Sequence, residues 1–200
     1  MIGHLSLLRD LRPRHLWQFV AGLATTAIVL HWMGRVWWCA AGDLRLWSGD
    51  VRSRHNSQHF LDPYAVTHVL HGLAFYYVAW LGRGWSPRPL DRARLALAVE
   101  MLWEVLENTD TAIQRYRAAT ISFDYFGDSV GNSIGDVLSC AVGYLGASMI
   151  PPWASLIAFF AGEGILAVWI RDGLILNLLM LVHPIERVKE WQLGPIPWWP

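Results

Sequence analysis

Charge is scarce in this chain. Only 16% of its 200 residues are Asp, Glu, Lys or Arg, against roughly 25% in ordinary soluble domains. Lysine is nearly missing, Lys189 standing alone beside fifteen arginines. Neither sign dominates, and a formal net charge of zero leaves no overall field to attract nucleic acid. Two cysteines, Cys39 and Cys140, are too few for a disulfide framework, and they offer no metal-binding spacing. Also missing are a phosphate loop, a dinucleotide fingerprint and the His-Glu-x-x-His metal motif. No internal repeat stands out. What remains is apolar: 54% hydrophobic residues, a mean hydropathy of +0.29 and 13 tryptophans. This balance excludes most soluble classes and points to one membrane domain over residues 1–200.

Hydropathy divides that domain into a polar leader (1–15), a helical bundle (16–183) and an irregular interfacial tail (184–200). The expected fold class is all-α, a polytopic membrane bundle of five or six transmembrane helices. The spans fall at Leu16 to about Trp38, Tyr64–Gly82, Ala93–Asn108, Ser129–Ile150 and Trp153–Ile170. Leu174–Val182 is too short to cross alone. Asp62-Pro63 reads as a helix start. The segments 40–63 and 108–127 read as polar loops, and Arg52-Ser53-Arg54-His55 as a solvated stretch. Arg9, Arg12 and Arg14 in the leader and Arg83, Arg88, Arg92 and Arg94 in the second loop set the orientation. The positive-inside rule puts both in the cytoplasm, and with them the N-terminus.

Against this apolar background, ionisable residues recur at helical spacing. His68 and His71 form an i, i+3 pair. Glu100, Glu104 and Glu107 follow at i, i+4 and i+7, and Asp128, Asn132 and Asp136 at i, i+4 and i+8. Each set occupies one helix face, and the expected topology brings all three to one outward-facing layer. Charge in hydrocarbon costs several kcal/mol, roughly 2.5–3.5 for Asp or Arg at a helix centre, so such residues face a bundle interior and mark a site. Beside the third set runs a small-residue stripe, Gly127, Gly131, Gly135, Ser139, Gly143 and Ala147, which lets helices approach closely. Glu163 sits alone in another span, where interhelical bonding and snorkelling are equal alternatives. His-x-x-His with acidic partners could take a divalent ion, and whether a metal or other cofactor binds stays open.

With those residues in view, the chain resembles the VanZ-like group of bacterial membrane proteins. More closely, it resembles an uncharacterised branch of small inner-membrane proteins that carries the string His55-Asn56-Ser57-Gln58-His59-Phe60. The group's pattern is a His early in one helix, a Glu ending another, an Arg-containing loop, then Asp-x-x-x-Asn-x-x-Gly. Here His68 or His71, Glu104, Arg115 or Arg117, and the run from Asp128 through Asn132 to Gly135 fill those places. Asp62 is followed by proline where the group has an Asp-Lys pair, and Asn108 stands where Gln is usual. The resemblance covers roughly residues 62–146 and implies envelope or lipid-linked chemistry, the group being associated with glycopeptide resistance.

The expected function is an intramembrane site that binds or processes a lipid or lipid-linked envelope amphiphile. Glu104, His68 and His71 are the acid/base candidates. Asp128, Asn132, Asp136, Arg115, Arg117 and His59 are the ligand-binding candidates, with the arginines either clamping an anionic head group or neutralising the acids. Membrane lipids are the expected partners. The alternative is an accessory subunit packed against a larger membrane complex, with no chemistry of its own.

Overall fold

The structure is a computed structural model that describes residues 6–86, 88–121 and 124–195. Among them the fold is all-helical, and the sole β pairing is an isolated bridge between Trp47 and Leu61. The helices are α1 (Ser6–Asp10), α2 (Pro13–Trp32), α3 (Ala65–Leu81), α4 (Pro89–Glu107), α5 (Asp110–Ala119), α6 (Val130–Ser148), α7 (Pro152–Trp169), α8 (Leu174–Val182) and α9 (Glu186–Leu193). Local chemistry sets their starts. Pro13, Pro89 and Pro152 open α2, α4 and α7, where the missing N–H costs nothing and φ is already helical. Thr109 and Ser129 cap α5 and α6, their hydroxyls accepting the N–H of Ala112 at 3.3 Å and of Asn132 at 3.0 Å. Each such cap contributes about 1 kcal/mol.

Helix α3 is central, packing most extensively on α6 and next on α7, with α4 on its other flank. Glycines make the α3–α6 contact possible. A Cβ on Gly72 would run into the backbone of Cys140 and Tyr144, and one on Gly143 into the Val69 carbonyl. Two glycines of the small-residue stripe also meet the loop: Gly131 lies against the Trp38 ring and Gly135 against the Phe60 carbonyl.

Several boundaries differ from the hydropathy reading, each for a local reason. The first helix ends at Trp32 rather than near Trp38, because Gly34 takes a left-handed φ of 86° and turns the chain back. Residues 33–64 then fold over the start of α6 instead of extending into solvent. The carbonyls of Val36 and Trp37 accept the N–H groups of Val130 and Gly131 at 2.8 and 3.1 Å, satisfying donors that a helix start leaves open. Inside the segment read as the 108–127 loop, α5 forms behind its Thr109 cap. In the tail, Glu186–Leu193 is helical, its side anchored by Gln192 donating to Asp172 at 3.0 Å. Residues 1–5 of the leader and 196–200 of the tail lie outside the described residues.

The expected five or six spans are narrowed as well. Among the described residues one helix, α7, is long and apolar enough to cross a membrane, and only 17% of it is buried. Helix α3 has 17 residues, about 26 Å at 1.5 Å per residue against a hydrocarbon core of roughly 30 Å. Helix α4 carries Asp91, Arg92, Arg94 and three glutamates along its length. Large apolar side chains are nonetheless bare on many helices, among them Trp32 (83% exposed), Trp85 (97%) and Val182 (81%).

Candidate functional site

Three helices and one loop deliver polar side chains to a common interior. Helix α3 contributes His68 and His71, α4 contributes Glu100 and Glu104, and α6 contributes Asn132 and Asp136, all buried. Glu100, fully buried, is the hub. It accepts from His68 Nδ1 at 2.6 Å through Oε1, and from His71 Nδ1 at 2.9 Å through Oε2. An ionised carboxylate only accepts, so each Nδ1 carries its proton and each Nε2 is turned away from Glu100. His68 also lies 3.4 Å from Glu104 and, through Nε2, 3.9 Å from Asp136. The Glu104–His68 contact is therefore present but subordinate to Glu100. Glu100 shares the helix face of Glu104, and that shared face was the available signal for its role.

A second tier surrounds the turn into α6. Asp128 accepts from Asn108 Nδ2 at 2.7 Å and from the Tyr125 hydroxyl at 3.0 Å, while its own N–H donates to Asn108 Oδ1 at 2.7 Å. It does not pair with His71. Asn132 reaches the loop instead, donating to the His59 carbonyl at 2.8 Å. Ser129 donates to the Gln58 carbonyl at 3.1 Å, and Gln58 donates to the Gly127 carbonyl at 2.9 Å. Asp62 closes the loop by accepting the N–H groups of Ser57 at 2.9 Å and Tyr64 at 2.7 Å. Burial pushes the Asp62 carboxyl up to about 6 and raises that of Asp128, since low dielectric disfavours the charged form.

Not every expected residue joins this interior. Arg115 donates to the carbonyls of Leu181 at 2.7 Å and Val182 at 3.4 Å, and Arg117 donates to the Tyr125 carbonyl. Both guanidiniums thus fasten backbone, and neither clamps the acids. The His59 side chain is buried in the loop, facing Arg45, His55 and Asp43. Glu163 is resolved as a brace: it accepts the N–H groups of Leu174 at 2.9 Å and Ile175 at 3.0 Å at the start of α8. Asp172 is a further buried acid that sequence reading passed over. It accepts from Tyr64 at 2.9 Å and Gln192 at 3.0 Å, and burial pushes its carboxyl up to about 6.

A small cavity of about 50 Å³ opens beside His68, His71, Glu107, Asp128 and Asp136, with Trp103 and Tyr116 in its wall. Its volume would accommodate an ion with a few waters, or one compact polar group, since one water needs roughly 10–15 Å³ on this measure. Among the described residues neither Arg nor Lys lines it. Among the described residues, both Glu104 carboxylate oxygens and Asp136 Oδ1 are buried without a hydrogen-bond partner. His68, Glu104 and Asp136 each offer one ligand atom within 4.8 Å of the others, as do His68, His71 and Glu100.

An all-helical protein with a buried histidine–carboxylate chamber is the class that this fold and site define. Within that class the chain belongs to the DUF2585 family, described as a protein of unknown function, whose family model matches residues 30–194. It is 46% identical to a UPF0314 protein of Paracoccus denitrificans (strain Pd 1222) over 179 residues, which is 88% of this chain and 91% of that protein. It is 48% identical to UPF0314 protein R03235 of Rhizobium meliloti (strain 1021) over 175 residues, 86% of this chain and 87% of that one. A UPF0314 protein of Sphingopyxis alaskensis (strain DSM 13593 / LMG 18877 / RB2256) is 42% identical over 183 residues, 89% of this chain and 95% of the other. No solved structure matches.

Proposed function

We propose that this is an inner-membrane protein, N-terminus cytoplasmic, whose chamber holds a divalent cation and through it the anionic head group of a lipid or lipid-linked envelope amphiphile. One observation carries the reading: buried carboxylate oxygens of Glu104 and Asp136 have no hydrogen-bond partner among the described residues, and no Arg or Lys lines the cavity beside them. Buried carboxylate oxygens cost free energy unless something pairs with them, and Glu104 and Asp136 leave three such oxygens open. An anionic head group needs positive charge there, and the lining residues supply no Arg or Lys. A hard or borderline divalent ion, bound through oxygen and imidazole nitrogen, meets both requirements. Glu104, Asp136 and His68 hold it, and Glu100, accepting from His68 Nδ1, orients that imidazole as outer-shell carboxylates do. Where a proton is transferred, Glu104 is the acid/base group and His71 shares its load through Glu100.

Membrane residence is supported by the apolar side chains left bare on α2, α3, α6 and α7, since soluble monomers rarely expose such contiguous area. The order of His68, Glu104, Asp128 and Asn132 along the chain supports a VanZ-like relationship. The 50 Å³ volume leaves room for an ion and one anionic group of a head group and not for an acyl chain, so the tail of an amphiphile stays in the bilayer. The same bare surface also supports the accessory-subunit reading.

Protein purified in detergent with its co-extracted lipids separates the two. Metal analysis and native mass spectrometry of wild type and Glu104→Gln are expected to show a divalent ion and a phospholipid-class adduct in the first and neither in the second. Equal metal and lipid content in both proteins sinks the chamber reading. Stoichiometric co-purification with a larger membrane complex, unaffected by Glu104→Gln, replaces it with the accessory role.

A further inference from the structure

Outside the chamber, the loop between α2 and α3 gathers a second set of metal-ligating side chains. Cys39 Sγ lies 3.4 Å from His55 Nδ1, and His55 Nδ1 lies 3.5 Å from His59 Nε2. Asp43 Oδ2 is 4.0 Å from His59 Nε2. The three Cys and His ligand atoms all fall within 4.8 Å of one another. Cys39 and His59 are buried, and both cysteines are free thiols.

Hydrogen bonding alone does not account for this arrangement. His59 Nδ1 sits 2.6 Å from the Arg45 carbonyl, which can only accept, so Nδ1 carries the proton and Nε2 is a bare lone pair. That lone pair faces His55 Nδ1, which also faces a thiol. The 3.4 Å between thiol and imidazole is an ordinary S–H···N distance, but the 3.5 Å between the two imidazole nitrogens is at the limit of useful N–H···N geometry. Both separations match the edges of a zinc tetrahedron. With Zn–N of about 2.0–2.1 Å and Zn–S of about 2.3 Å, tetrahedral angles put two nitrogens about 3.4 Å apart and a nitrogen and sulfur about 3.6 Å apart. The three-residue gap between His55 and His59 is also within the histidine spacing of known zinc sites. Finally, the bond from His59 Nδ1 to a backbone carbonyl is the outer-shell contact that fixes the tautomer and aim of a zinc-bound imidazole.

We infer that Cys39, His55 and His59 form a structural zinc-class site. Asp43 is the fourth ligand once it swings from Arg45, to which it is now bonded at 2.5 and 2.6 Å. The site staples the loop to the helices beneath it. The His59 carbonyl is the acceptor for Asn132, and Phe60 is pressed against Gly135, so an ion here holds the roof of the chamber without belonging to it. The inference does not rest on the proposed function. It concerns sulfur ligation, which none of the proposed chamber ligands provides.

Cobalt(II) added to reduced, metal-stripped full-length protein in detergent distinguishes the two. Wild type is expected to give a near-ultraviolet thiolate-to-cobalt charge-transfer band that saturates at about one ion per chain, together with tetrahedral visible absorption. The band is lost in Cys39→Ser, is retained in Glu104→Gln, and is retained in Cys140→Ser, which controls for the thiol buried near Glu100. His59→Ala is expected to weaken cobalt binding at this site at least ~10-fold. Absence of the band from wild type overturns the inference, as does a band lost in Cys140→Ser but not in Cys39→Ser. Should Cys39→Ser fail to fold, wild type and Cys140→Ser still decide.

Discussion

Two groups of buried acids lie within one bundle and are treated differently. Asp62, Asp128, Asp172 and Glu163 have backbone N–H groups, amides or hydroxyls on their oxygens. Glu104 and Asp136 have oxygens with no hydrogen-bond partner among the described residues. Asp62, Asp128 and Asp172 sit in loops, and Glu163, though inside α7, reaches the start of α8, so unpaired N–H groups are available to this group. The second sits mid-helix, where every neighbouring N–H is already used. Acids of the first group hold the fold together. Those of the second cost stability, and a buried group kept at a cost points to ligand chemistry.

Mutations test that division, and the largest effect belongs to the saturated tier. Asp128→Ala strands Asn108 and Tyr125 and is expected to destabilise by roughly 2–6 kcal/mol, about 1–3 for each buried donor left unsatisfied. Thermal unfolding in detergent reads it, and a loss under 1 kcal/mol breaks the comparison.

The next effect is on pH. Asp172 is raised in the fold from its ordinary 3.8 to about 6, so the folded state holds its proton more tightly than the unfolded chain does. Its stabilising contribution is complete below about 4 and is lost as pH rises through about 6, amounting to roughly 3 kcal/mol at two pKa units. Asp62 has the same sign. Melting curves from pH 4.5 to 7 should fall, and Asp172→Asn should flatten that fall; an unchanged slope in the variant refutes the assignment.

Ser129→Ala comes third. It removes a helix cap and a bond to the Gln58 carbonyl, with an expected loss of about 1–2 kcal/mol. A null result leaves the loop's attachment to Asn132 and to the backbone bonds from Val130 and Gly131.

Asp136→Asn should affect stability least, within about 1 kcal/mol of wild type and with a gain allowed, because no bond to Oδ1 is lost. The ion content of the chamber should nevertheless fall. A large destabilisation would move Asp136 into the structural tier.

How much of this was legible depends on periodicity. The His68–His71 pair, the glutamate stripe and the Asp128–Asp136 stripe are helical patterns, and the structure brings His68, Glu104 and Asp136 to one interior as their spacing implied. The small-residue stripe likewise marked α6 as a packing surface, which Gly135 and Gly143 bear out. What escaped notice has no period. Residues 40–63 read as a polar loop, yet Gln58, His59 and Asp62 are buried through backbone contacts that only a folded chain reveals. Arg115 and Arg117 were expected among the acids by charge alone, but carbonyls nearer at hand took them. Glu100 and Glu104 are one turn apart on the same face, and only depth on α3 decides which meets both histidines.

The contact at Gly72 and Gly143 has a last consequence. Backbones pressed this close cannot slide or rotate against each other without collision, so α3 and α6 move as one rigid spar. The wall of the chamber away from that spar includes α4, whose Trp103 lines the cavity. A bulkier residue at Gly143 would pry the spar open from the inside.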